Sequence, residues 1–263
     1  MSSLSKTLAV FVKQGLSGHS SDSRKWSDHS KGALKSLFDS MVHSDHLWKT
    51  GAGGDEVAIR EIEEGGVSES DVSSYIPKSI RAGILRKMEN SRVFQWRIGK
   101  RTVQIHIIST KLSNRVILEM IYRMYLWLSI VFRYASPHCA KKLDVFIYLS
   151  GDTKRVPVSS RGVIDREHVN TAFTTSCQPE IEIHIFREEE WFKVFIHECF
   201  HCFGLDFSGM SGASRGDRVI KGYFGLNPAF DLRIYEAYTE TWAEIVHTLM
   251  HSFLYSRSRV WEN

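Results

Sequence analysis

The chain of 263 residues has little of several things. Charge of one sign is scarce. Against 34 Lys and Arg stand 30 Asp and Glu, a formal net charge of +4, too small a surplus to argue for nucleic acid. Cysteine is scarce too, with Cys139, Cys177, Cys199 and Cys202 alone. That is no secreted disulfide scaffold and points to a reducing compartment. There is no uninterrupted apolar run of membrane-spanning length. The most apolar stretch, 116–132, contains Glu119 and Arg123, so it reads as a buried amphipathic helix and no membrane contact is expected. The apolar run at 7–12 is shorter than a signal-peptide core and lacks a small-residue cleavage site. The expected localisation is therefore intracellular (cytoplasmic). No internal repeat is present. With 43% hydrophobic and 24% charged residues, the composition excludes a disordered or collagen-like chain. The length suits one core plus an extension.

What the chain does have is twelve histidines, and the question is whether any are organised. Residues 1–90 read as a helical, partly flexible N-terminal extension. It has helical spacing at Leu34, Leu37, Phe38 and Met41, a short helix at 57–64 closed by Gly65 and Gly66, and a basic helix from Pro77 to about residue 90. Residues 91–263 read as the main domain. There 93–98 and 103–108 flank Gly99 as a β-hairpin. A long helix follows at 114–135, then strands at 143–149, 169–174 and 181–186. Helix 188–203 has three Glu in its first turn and Gly204 as its stop. The stretch 206–227, rich in Gly and Ser, reads as loop, and 232–253 as a final helix. The order implies an α+β fold with a small mixed sheet.

One sequence stands out: His197-Glu198-Cys199-Phe200-His201, an H-E-x-x-H pattern. Random placement of twelve His and eighteen Glu would give roughly 0.04 occurrences. On a helix the two His lie one turn apart on one face and can share one Zn²⁺. Glu198 can take a proton from the attacking water and pass it to a leaving amine. The bland alternative is a helix with two incidental histidines. A third ligand is needed. The metzincin extension fails, because Phe207 stands where His or Asp is required and Asp206 is one residue short. The final helix offers Glu236, Glu240, Ala243, Glu244 and His247 on one expected face. One of these carboxylates can complete the site and a second can accept the other N–H of a bound His. The competing reading is a solvated charged face.

Cys199 and Cys202 form C-x-x-C but point away from the His face of a continuous helix, and read as small buried thiols. Basic clusters such as Lys78 with Arg81, and Arg86 with Lys87, read as solvated helix faces.

His197–His201 followed by Glu240-Thr241-Trp242-Ala243-Glu244 resembles the gluzincin branch of the zincin metallopeptidases, whose pattern is H-E-x-x-H plus a downstream helical E-x-x-A-[DE]. The chain is also similar to poorly characterised metallopeptidases of large DNA viruses. The likeness covers about residues 140–250. It implies a zincin-like domain over 91–263 with an active-site helix and a C-terminal glutamate helix, and Zn²⁺ on His197, His201 and Glu240. It makes Glu244 the outer partner, with Glu236 as the alternative ligand. It implies zinc-dependent peptide-bond hydrolysis with Glu198 as general base. A peptide or protein substrate would pair with an edge strand, for which Asn170, Thr171, Ala172, Phe173 and Thr174 are the candidates. His247 is a candidate donor to transition-state charge, with Tyr235, Tyr238 and Tyr223 behind it. The alternative is a catalytically inactive zincin-fold structural or interaction protein, associated with a virion. Oligomeric state, substrate and cleavage preference do not follow from the sequence.

Overall fold

The computed structural model describes residues 27–51, 58–110, 112–154, 170–210, 213–229 and 231–258. The patches at 7–12 and the start of the strand expected at 169 lie outside them. Contacts divide the chain between Asp39 and Ser40, inside helix α1 (Asp28–Thr50). In the first unit, the described helical residues carry exposed pairs, Lys31 with Asp28 and Lys35 with Asp39.

The second unit is a mixed α+β structure. Its six strands are β1 (Arg60–Gly65), β2 (Asn90–Ile98), β3 (Arg101–Ser109), β4 (Lys142–Tyr148), β5 (Ala172–Thr174) and β6 (Glu180–Ile185). They form one sheet in the order β1-β2-β3-β4-β6-β5. β3, β4 and β6 are parallel, and β1, β2 and β5 run against their neighbours. The β2–β3 hairpin turns on Gly99, at φ +57°, a backbone state that glycine takes without a Cβ clash. Besides α1, the described helices are α2 (Lys78–Lys87), α3 (Asn114–Val131), α4 (Trp191–Cys202), α5 (Ala213–Phe224) and α6 (Ile234–Ser258).

The sheet alternates as a twice-covered sheet should. Val103, Ile105, Ile107, Leu143, Val145, Ile147, Ile181, Ile183 and Ile185 are buried on one face. On the other, α2 places Ile80, Ile84 and Met88 against Ile108, Tyr148 and Phe186. A ladder of flat rings crosses that second face. His106 stacks on Phe146 at 4.2 Å, Phe146 on His184 at 4.6 Å, and His184 on Phe173 at 4.6 Å. The ladder runs through the register from β3 to the edge strand β5.

Several expectations need correction. Of the stretch expected as a helix at 57–64, residue 57 lies outside the described residues and 60–64 belong to strand β1, because Glu61 and Glu64 pair with Phe94 and Arg92 of β2. Residues from β1 to Met88 thus join the sheet and its core, and the expected boundary at residue 90 is not where contacts divide. The stretch 206–227 contains helix α5. The three Glu expected in the first turn of the active-site helix precede it instead, and Glu190 stands at its N-cap with φ +56°. Cys139 and Cys177 form a disulfide, with Cα atoms 4.8 Å apart. Such a bond is not what a reducing compartment maintains, so the cysteines no longer support an intracellular location. Cys199 and Cys202 are free and buried, as expected. Among the described residues no helix is long and apolar enough to cross a membrane.

Candidate functional site

The site lies where α4 meets α6, beside β5. α4 is held on its inner side by Phe192, Phe195, Ile196, Cys199 and Cys202, all buried. Phe200 and Phe203 pack on Trp127 and Phe132. The helix stops at Gly204, at φ +65°, where a Cβ would meet Cys177 Cβ at 3.5 Å. The disulfide therefore lies against the end of this helix. α6 turns Thr239, Ala243, Val246, Met250 and Phe253 inward.

This phase decides which carboxylates reach the histidines. Glu236 Oε2 lies 3.4 Å from His197 Nε2 and 3.3 Å from His201 Nε2. The two Nε2 atoms are 3.0 Å apart. His197 Nδ1 donates to Glu240 Oε2 at 2.9 Å, and His201 Nδ1 donates to Asp206 Oδ2 at 2.6 Å. The arrangement is thus shifted by one turn from the one expected, with Glu236, the alternative ligand, in the place expected for Glu240, and Glu240 in the place expected for Glu244. Glu236 faces the Nε2 atoms, and Glu240 sits behind His197. Glu244 reaches Lys193 Nζ at 3.4 Å rather than either His. The same five-residue spacing occurs one turn earlier than the stretch chosen from sequence, as Glu236-Ala237-Tyr238-Thr239-Glu240. Thr239, fully buried, takes the place of Ala.

His197, His201 and Glu236 offer three donor atoms within 4.8 Å of one another, a set compatible with a metal ion. Tetrahedral ligands at about 2.0–2.1 Å from zinc would stand about 3.3 Å from each other, close to the three edges above. Each Nδ1 faces a carboxylate that can accept its hydrogen, an arrangement that makes each Nε2 the nitrogen available to an ion. Burial alone would depress His201, but Glu236 and Asp206 together hold it up at about 9. Its hydrogen bonds from His197 and His201 keep the Glu236 carboxyl far below the usual range.

Glu198 lies in the same cleft, nearly buried. Burial pushes its carboxyl up to about 7, with the nearby histidines pulling the other way. The cleft is a cavity of about 820 Å³. Asn170, Thr171, Ala172, Phe173 and Thr174 all line it. Phe173 is committed to packing, its ring also reaching Tyr75 at 5.9 Å. His247 is elsewhere. It packs beside Phe192 and His251 and is not part of the cleft lining, so its expected catalytic role is withdrawn. Of the three tyrosines only Tyr235 lines the cleft, its ring 6.1 Å from that of His201.

No protein-family model matches the chain, and comparison with curated proteins and with solved structures finds no match.

Sequence reasoning missed Lys193 and Arg233 in the lining, and it set Asp206 aside. Lys193 carried a readable signal. It lies one turn before His197, on the same helix face, inside an otherwise apolar run. Asp206 failed as a ligand in register, but an acid five residues past His201 suits the outer nitrogen of that ring.

Proposed function

We propose that this protein is a zinc-dependent peptidase of zincin type. His197, His201 and Glu236 are its metal ligands and Glu198 its general base. The observation that carries the reading is the convergence of two Nε2 atoms and one carboxylate oxygen, with the Nδ1 of each histidine facing a carboxylate of its own. Two incidental histidines on a helix would not require three acids from α6 and the α4–α5 connection to face them. Zinc bound there would act as a Lewis acid and lower the pKa of water near neutrality.

The chain's own residues divide the remaining work. Glu198, poised near neutrality in a buried position, takes the proton of the attacking water and delivers it to the departing amine. Glu240 and Asp206 hold the two rings in the tautomer that leaves Nε2 free. Tyr235, in the lining beside His201, is placed to donate to the developing oxyanion. β5 supplies the place for substrate. Phe186 N donates to Thr171 O, so antiparallel alternation turns the backbone groups of Ala172 and Thr174 away from β6. An extended peptide pairing with that edge would lie beside His197 and Glu198.

The test is metal analysis of the purified chain, with peptide cleavage by the wild type and by Glu198→Gln. The expected outcome is one zinc per chain in both. Turnover should fall by about 10²–10⁴-fold in the variant. Absence of zinc, or cleavage that the substitution leaves unchanged, would sink the proposal. Zinc without turnover in the wild type would favour an inert interaction protein on the same fold.

A further inference from the structure

Lys193 is the unexplained charge in the cleft. It is buried, at 8% exposure, where lysine is rare unless paired. It lies one turn before His197 on α4. Its Nζ meets three carboxylates: Glu240 Oε1 at 2.5 Å, Glu244 Oε1 at 3.4 Å and Glu190 Oε2 at 3.7 Å. The first contact matters most. Glu240 spends one oxygen on the ammonium and the other on His197 Nδ1, at 2.9 Å. Lys193, Glu240 and His197 therefore form a continuous chain that ends at the ring whose Nε2 faces Glu236.

The other histidine is served differently. Asp206 receives His201 Nδ1 on Oδ2, and its Oδ1 accepts from Ser208 Oγ at 2.8 Å. A neutral donor from its own loop holds that acid. Glu240 stands on the surface of a separate helix, with no such loop to fix it. A cation one turn from His197 holds one oxygen of that carboxylate and so fixes its rotamer, leaving the other oxygen to receive the Nδ1–H.

We infer that Lys193 is a positioning residue for His197, acting through Glu240 to set the tautomer and direction of the ring. The inference rests on the metal reading above and adds to it a charge that holds the site in register. A mere stitch between α4 and α6 would affect stability and leave metal affinity alone.

Zinc dissociation constants of the full chain, measured by competition with a chelator of known affinity, test this. The set is wild type, Lys193→Met, Lys193→Arg, Glu240→Gln and the double variant Lys193→Met with Glu240→Gln. Thermal unfolding is recorded alongside. Lys193→Met should weaken zinc binding about 10–100-fold, the range for outer partners of a ligand. Lys193→Arg should restore most of it. The double variant should bind no more weakly than Glu240→Gln alone, because both changes break one chain. If the methionine variant does not fold, Lys193→Gln, with a polar head and no charge, gives the same comparison. An unchanged affinity in a folded Lys193 variant, or an effect that adds in full to Glu240→Gln, overturns the inference alone. A wild type that takes up no zinc overturns the metal reading and this inference together.

Discussion

At the scale of single residues, the site turns on one helical step. Glu236 and Glu240 are the same residue type one turn apart, yet they meet different nitrogens of the histidines. Their substitutions should therefore differ in kind. Glu236→Ala should abolish stoichiometric zinc uptake. Glu240→Gln should leave one zinc per chain, held about 10–100-fold less tightly. Metal content after dialysis against a weak chelator separates the two, and the reverse order would return Glu240 to the ligand position. The H-E-x-x-H stretch was legible because its chemistry and its helix phase are both local. The choice between the two glutamates was not. It depends on how α6 is rotated against α4, which Thr239, Ala243 and Val246 decide by burying themselves, and no short pattern contains that angle. Asp206 was set aside for a related reason. Its role depends on the chain turning back after Gly204, not on a ligand spacing.

At the scale of elements, local pattern read well where one face alternates and poorly where tertiary pairing decided. The β2–β3 hairpin, α3 and β4 announce themselves by Val, Ile and aromatic content. β1, rich in Glu, has helical leanings that pairing with β2 overrides. α5 contains Gly216 and Gly222 and so resembles a loop. The ring ladder on the sheet has a pH consequence. Burial lowers the pKa of His184 below its ordinary 6.5, although Glu182 beside it pulls the other way. His106 is lowered by burial as well. In the unfolded chain both would titrate near 6.5. Below that pH the unfolded state binds protons that the native state resists, so stability is whole above 6.5 and is lost as pH falls. The slope is up to about 1.4 kcal/mol per pH unit for each proton. Glu198, held up at about 7, and His201, at about 9, bias total stability the opposite way over the same range, so the contribution is read as a difference in the pH slope of urea unfolding between about pH 7 and about pH 5. His184→Phe, which keeps a flat ring, should make that slope less positive than in the wild type. An unaltered slope would show that His184 is not the sensing group.

At the scale of the whole molecule, the disulfide joins positions 38 residues apart in sequence, and no local signal could have paired them. It ties the turn between β5 and β6 to the segment before β4, against the end of α4. Closing a loop of that length stabilises by about 4 kcal/mol. Reduction, or Cys177→Ser, should lower the unfolding free energy by up to that amount in denaturant titration. Equal stability with and without reductant would mean the bond does not form in solution. A last consequence comes from the site being a contact between two helices far apart in the chain. A ribosome makes α4 before α6. While α6 is still in the exit tunnel, the nascent chain displays His197, Glu198 and His201 with neither Glu236 nor Glu240 opposite them. Whatever chemistry these residues perform must wait until the later helix has emerged and docked, so order of synthesis delays the site until the fold that contains it is assembled.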